Sequence, residues 1–339
     1  MRGLLTAGLA AGLLLLAAGA GAADDPATAP AGWRPPAIQT LPDDAFGRAV
    51  RLGRELFQHS SALIGPDAPD PGRRYAGNGL DCRNCHLDAG RQRLALPLAG
   101  THGVYPDFSG RAGRVLDLGE RIQSCMERSM NGRRLPEDGP ELVAILAYLR
   151  FLATGLPTGA EPPGRGTPPL ALPERAADPK RGAALYQQNC AACHQPDGQG
   201  VRYGAADAAQ QRQRYQFPPL WGPDSFNDGA GMARTIAAAR FIRANMPLGT
   251  DPANPSLAPD DAFDIAAFLA GQPRPRLAGT EADFPDRRLK PPDAPYPPFL
   301  GPFPPAQHLT GPWQPILEWQ HRHLGPGAGA DLASAVPGR

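Results

Sequence analysis

Two short motifs constrain this chain more than anything else in it. Cys82-Arg83-Asn84-Cys85-His86 and Cys190-Ala191-Ala192-Cys193-His194 repeat one pattern, C-x-x-C-H. Two thiols a short turn apart can bond to the two vinyl groups of one haem, and the adjacent histidine then falls under the iron. A zinc site would want four closed ligands, and no other stretch is dense in Cys and His. A thioredoxin-like redox pair does not need a histidine directly after it, twice. The motifs therefore predict two covalently bound haem c groups, attached through Cys82, Cys85, Cys190 and Cys193, with His86 and His194 as proximal iron ligands. The chain has five cysteines. Cys125 is the remainder, and in an exported protein an unpaired thiol needs a user.

Export is predicted from the N-terminus. Met1-Arg2, an apolar run from Leu4 to Ala18 and small residues through Ala23 form a secretory signal peptide over 1–22, with Ala20-Gly21-Ala22 as the cleavage site. The apolar run is short for a membrane span of about 20 residues, and no later segment suits one. The expectation is a soluble periplasmic protein without stable membrane insertion. A net charge of +1 gives no broad field to steer a polyanion, so nucleic acid is not an expected partner. The 42 prolines and 40 glycines would suggest disorder, but they concentrate in a linker, in turns and in the tail. A covalently held macrocycle also supplies apolar interior that the polypeptide then need not provide.

The two halves repeat one order: a helix, the haem motif, a loop-rich stretch and a closing amphipathic helix. The first helices are predicted at Asp44–His59 and Pro179–Asn189, and the closing ones at Gly139–Thr154 and Asp260–Gly271. Leu142, Ile145, Leu146 and Leu149, and later Phe263, Ala266, Ala267 and Phe268, recur at helical spacing. The expected fold is all-α: two tandem domains like class I cytochrome c, with long irregular loops. The domains are placed at 40–154 and 179–272. A Pro/Gly-rich linker, 155–178, joins them, because proline cannot continue a helix. The tail, 273–339, is Pro-rich but keeps aromatics such as Tyr296, Phe299, Phe303 and Trp313. It is expected to pack as an extended strap to about Ile316, with Gly325–Arg339 mobile.

Each six-coordinate haem needs a second ligand, usually Met or His. For the second haem, Met246 lies between a helical stretch, Gly231–Ala244, and the closing helix, followed by Pro247; Met232 is its rival. For the first haem three sulfurs compete: Cys125, Met126 and Met130. Cys125 and Met126 point about 100° apart on a helix, so one of them can face the iron. Arg121, Cys125, Arg128 and Ser129 share a helical face at i, i+4, i+7 and i+8. Guanidinium groups beside a thiol favour its anionic form and offer forked hydrogen bonds to an oxyanion. Arg111 and Arg114 precede this helix and could extend the patch. Asp117, Glu120 and Glu127 could instead pair with some of these arginines. Arg133 and Arg134 read as solvated surface charges.

These residues resemble the diheme thiosulfate dehydrogenases. The likeness runs from about Asp44 to about Ile316. It is carried by Gly77-Asn78-Gly79-Leu80-Asp81, His86-Leu87-Asp88-Ala89-Gly90, Arg121-Ile122, Arg128-Ser129-Met130-Asn131-Gly132, Pro218-Pro219-Leu220-Trp221-Gly222, Asp224-Ser225-Phe226-Asn227, Asn245-Met246-Pro247, Phe284-Pro285-Asp286 and Gly311-Pro312-Trp313. The resemblance implies one haem ligated by His86 and Cys125 and the other by His194 and Met246. It implies oxidative joining of two thiosulfates into tetrathionate, with electrons passed to a small periplasmic cytochrome c. Family members often carry an arginine where this chain has Ser109, and some carry a lysine where it has Asn245. Other readings are a Sox-type diheme subunit acting on a carrier-protein cysteine, and a non-enzymatic electron shuttle. A diheme peroxidase would need an open iron face, which Cys125 would block.

Overall fold

The computed structural model describes residues 29–204, 214–325 and Ala328. The signal peptide and nearly all of the segment expected to be mobile, 325–339, lie outside the described residues.

The first unit is framed by α1 (Ala45–Gln58) and α3 (Pro140–Leu152), which pack against each other. Asp44 starts α1 by accepting a hydrogen bond from Gly47 N at 2.7 Å, satisfying one of the free donors of the first turn. Between them lies α2 (Leu118–Arg128), started by a capping box in which Asp117 and Glu120 bond each other's backbone N–H. The second unit repeats the frame with α4 (Pro179–Asn189) and α6 (Pro259–Ala270), and with α5 (Thr235–Asn245) between them. The sequence places these helices to within a few residues. The exception is the start of α5, where Gly231–Ala233 forms a separate 3-10 turn.

One device makes both crossings. A Cβ at Gly53 of α1 would run into the carbonyl oxygen of Ala144, and one at Gly182 of α4 would run into that of Asp264. Only glycine lets the backbones come this close. Four residues on from each glycine stands an aromatic ring. Phe57 packs on Tyr148 with centroids 6.0 Å apart, and Tyr186 packs on Phe268 at 5.4 Å. The duplication seen in the haem motifs thus extends to the helix contacts.

Two short hairpins interrupt the helical pattern: β1 (Asp107–Ser109) with β2 (Arg114–Leu116), and β3 (Val201–Arg202) with β4 (Tyr215–Phe217). The first hairpin carries Arg111 at its turn. The linker runs back along the first unit, with Leu94 N and Leu96 N donating to Gly164 O and Gly166 O at 2.7 and 3.0 Å. Beyond residue 272 the chain is irregular, with two short 3-10 turns, as far as Phe303. It then forms α7 (Pro305–Thr310) and α8 (Gln314–Leu324), where extended chain was expected as far as about Ile316. Trp313 and Ile316 anchor this end, fully buried in the second core. Among the described residues no helix is long and apolar enough to cross a membrane.

Candidate functional site

All five cysteines are free of disulfides. Burial pushes the Cys82 thiol up to about 12, Cys85 to about 11 and Cys190 to about 11. A redox C-x-x-C pair needs the opposite, a lowered thiol pKa. The two histidines are built alike. His86 Nδ1 donates to Leu96 O at 2.6 Å and His194 Nδ1 donates to Pro218 O at 2.9 Å. Burial pushes His86 down to about 4, with Arg121 adding to the effect, and lowers His194 as well. Both imidazoles are therefore neutral, with Nδ1 tied to backbone and Nε2 left for a metal. Iron-binding histidines need that arrangement, so the residues present fit a haem in each unit. Pro218 belongs to the Pro218–Gly222 run, and Trp221 of that run packs on Tyr186 and Phe268 at 5.3 and 5.7 Å. The motif is a bracket that orients His194.

The first site is assembled on α2. Leu118, Ile122 and Met126 are buried on one face of this helix. Met126 and Met130 are 2% and 3% exposed in the first apolar core. The neighbouring face holds Arg121 and Cys125, with Arg121 Nη1 donating to Cys125 Sγ at 3.0 Å. Cys125 lies close enough to the first haem motif for its charge to raise the thiols of Cys82 and Cys85. The charge of Cys125 in turn holds Arg121 above the ordinary guanidinium value, with Tyr105 contributing. Burial pushes the Tyr105 phenol up.

The arginines separate into distinct states. Arg128 makes a fork-to-fork pair with Asp283 at 2.8 and 2.7 Å, and Tyr296 Oη donates to the same carboxylate at 2.7 Å. Arg111 makes no ion pair or hydrogen bond through its guanidinium among the described residues, which instead stands 5.8 Å over the Phe284 ring. Burial pushes Arg111 down to about 10, and its field partners are Tyr296, Arg128, Asp283 and Arg121. The three guanidinium groups therefore form one cluster. Arg114, which the sequence offered as a further member, is instead paired with Glu120 at 2.6 Å. Arg133 lies over the Tyr75 ring at 4.4 Å and Arg134 pairs with Glu137 at 3.6 Å. Ser129 closes α2: its N–H donates to Cys125 O and its carbonyl accepts from Asn78 Nδ2 at 2.9 Å. Its hydroxyl bonds no described residue.

In the second unit, Met246 follows α5 directly, with its N–H on Ile242 O at 2.8 Å. Met246 and Cys190 pack against the same apolar core.

The comparisons with known proteins agree with this division. A family model described as "SoxA/TsdA, cytochrome c domain" matches residues 74–158, and one described as "Cytochrome c" matches residues 179–273. A thiosulfate dehydrogenase of Allochromatium vinosum is 45% identical over 244 residues, which is 71% of this chain and 83% of the relative. Another, of Stutzerimonas stutzeri, is 39% identical over 72% of this chain and 73% of the relative. This chain belongs to the thiosulfate dehydrogenase family. The solved thiosulfate dehydrogenase TsdBA of Marichromatium purpuratum, in its as-isolated form, matches with a TM-score of 0.62 at 39% identity, over 70% of this chain. The match spans 48% of that solved chain. As a member of the thiosulfate dehydrogenase family the chain is an oxidoreductase built from two haem-binding cytochrome c domains.

Several segments that carry the likeness to other thiosulfate dehydrogenases converge where the two units meet. Asn78, fully buried, donates to Ser129 O at 2.9 Å and to Ser225 O at 3.1 Å. Gly79 N donates to Asp224 Oδ1 at 2.8 Å. Asn227 Nδ2 donates to Glu127 O and to Asn131 Oδ1 at 2.8 and 3.0 Å. The sequence reading missed Tyr105, Asp283 and Tyr296. Phe284-Pro285-Asp286 in the tail was the nearest signal for two of them.

Proposed function

We propose that the chain is a periplasmic diheme cytochrome that joins two thiosulfates into tetrathionate in its first unit. The electrons then pass through the second unit to a small external cytochrome c. The observation that carries this reading is the Arg121–Cys125 pair beside the first haem motif, with Arg111 next to it. It combines a sulfur donor with two cations that make no ion pair among the described residues. Two covalently attached haems, ligated by His86 and Cys125 and by His194 and Met246, belong to the same proposal.

When bound, the haems supply two one-electron acceptors, matching the two electrons released. Cys125 as a thiolate donor would lower the potential of the first haem and Met246 would raise that of the second, which would make electron passage towards the second unit downhill. A low potential would be a poor match for oxidising thiosulfate, so Cys125 would have to be free to act on substrate as well as to hold the haem. Its Sγ bonds to the sulfane sulfur of one thiosulfate, and two electrons depart. The sulfane sulfur of a second thiosulfate attacks that same atom. The bond to Cys125 breaks, Sγ recovers its electron pair as a thiolate, and tetrathionate leaves. Arg111 and Arg121 offset the repulsion between the dianions. Arg128, held by Asp283, forms the wall behind them.

The test is tetrathionate production by the purified single chain, with thiosulfate as donor and ferricyanide as acceptor. Cys125→Met should keep two haems per chain and lose this activity by at least about a hundredfold, the order reached when one transition-state group is removed. Near-normal turnover by that variant would sink the cysteine mechanism. An inactive wild-type chain would point to the Sox-type or shuttle readings.

A further inference from the structure

Asn245 stands immediately before Met246 and is 2% exposed. Its side chain reaches out of its own unit. Nδ2 donates to Leu94 O of the first unit at 3.1 Å as well as to Phe241 O at 3.3 Å, and Oδ1 accepts from Gln92 Nε2 at 3.4 Å. The segment it grips is strained: Leu94 and Leu96 have φ of +61° and +54°. A left-handed non-glycine residue is strained and persists only where its surroundings hold it. Here the holders are Asn245 on one side and the linker carbonyls of Gly164 and Gly166 on the other. The same segment presents Leu96 O to His86 Nδ1 at 2.6 Å. A firm hydrogen bond on Nδ1 makes an imidazole a stronger donor to its metal, which lowers the metal's potential.

We propose that Asn245 is a positioning residue through which the second unit sets the potential of the first haem. It holds the Gln92–Leu96 segment and so fixes the Leu96 carbonyl against His86. The proposal rests on haem attachment at His86, which haem content checks separately. Without the Nδ2 donor the strained segment relaxes, Leu96 O draws away from His86, and the imidazole becomes a weaker donor.

The experiment uses the full-length, haem-loaded protein and the variants Asn245→Leu and Asn245→Ala. Three quantities are read: haems per chain, the methionine–iron charge-transfer band, and both midpoint potentials by spectroelectrochemical titration. The expected result is two haems, a retained methionine band and an upward shift of the first haem's potential in both variants. Gln92→Ala removes a hydrogen bond to Asn245 from an exposed side chain of the first unit. It should shift the same potential in the same direction, by less, and it keeps the test open if the Asn245 variants fold poorly. An unchanged first potential would overturn the proposal. So would a shift confined to the second haem with loss of the methionine band, since Asn245 would then act only on its neighbour. A wild-type chain carrying fewer than two haems would instead refute the haem reading on which the proposal stands.

Discussion

Arg111, Arg121 and Arg128 share one cluster, yet their charges are not equally available. Asp283 neutralises Arg128 in a pair whose side chains are 16% and 9% exposed. Arg121 is engaged by Cys125, and Arg111 lies over an aromatic ring without an ion pair among the described residues. Arg111 therefore has the most to give an incoming anion. A hydrogen bond to a charged group contributes about 1.5–3 kcal/mol. Arg111→Leu should accordingly raise KM for thiosulfate roughly 10- to 100-fold, with haem content and absorption spectrum unchanged; steady-state kinetics at fixed ferricyanide would check this. A wild-type KM in that variant would move substrate binding elsewhere. The helical face of Arg121 and Cys125 was legible in the sequence because helical spacing places i and i+4 together. Which arginine is neutralised was not, because Asp283 lies 155 residues beyond Arg128 in the chain. Spacing carries no information over such a distance.

At the scale of elements, the framing helices could be read from their repeated order and from apolar periodicity in α3 and α6, and Asp44 and Asp178 cap α1 and α4. What periodicity could not show is how closely the helices approach. Gly53 and Gly182 look like poor helix formers in the sequence. In the structure they are the points where two backbones touch. Gly182→Ala should destabilise the second unit by about 1–3 kcal/mol or more, since the added carbon meets backbone rather than a movable side chain. A fall of several degrees in thermal melting would register it, and an unchanged melt would mean that α4 and α6 can part at no cost. The loop-borne groups Tyr105 and Leu94–Leu96 were illegible for a different reason. Leu94–Leu96 is set by hydrogen bonds to linker carbonyls and from Asn245, Tyr105 interacts with Arg121, and no local pattern encodes those.

At the scale of the whole molecule, the tail is a structural member of the first site. Asp283→Asn would leave the Arg128 guanidinium buried without its counter-charge, a change that costs about 3–5 kcal/mol. The expected consequence is earlier protease cleavage between residues 273 and 300 together with a lower melting temperature. The same strap contains Lys290, 1% exposed, which donates to Tyr296 O at 3.1 Å. Burial pushes its amine down from 10.5 to about 8. Between those values the unfolded chain holds a proton that the folded chain has released, so stability rises with pH. Tyr296, pushed up from 10.0 to about 12 by burial, opposes this above pH 10. The visible window is therefore pH 8–10, with a gain of about 2–3 kcal/mol. Denaturant titrations across that range should show the rise in the wild type and a flat profile in Lys290→Met.

The pairing of Arg128 with Asp283 also imposes an order in time. Under the proposed export, a chain that crosses the membrane N-terminus first would present Cys82 and Cys85 for haem attachment well before residue 283 emerges. The first unit must then wait, with an uncompensated guanidinium in its wall, while the whole second unit is delivered. The proposed anion site is thus completed from the far end of the chain, through Asp283, so a molecule interrupted after its second C-x-x-C-H motif would have both motifs and an unfinished pocket.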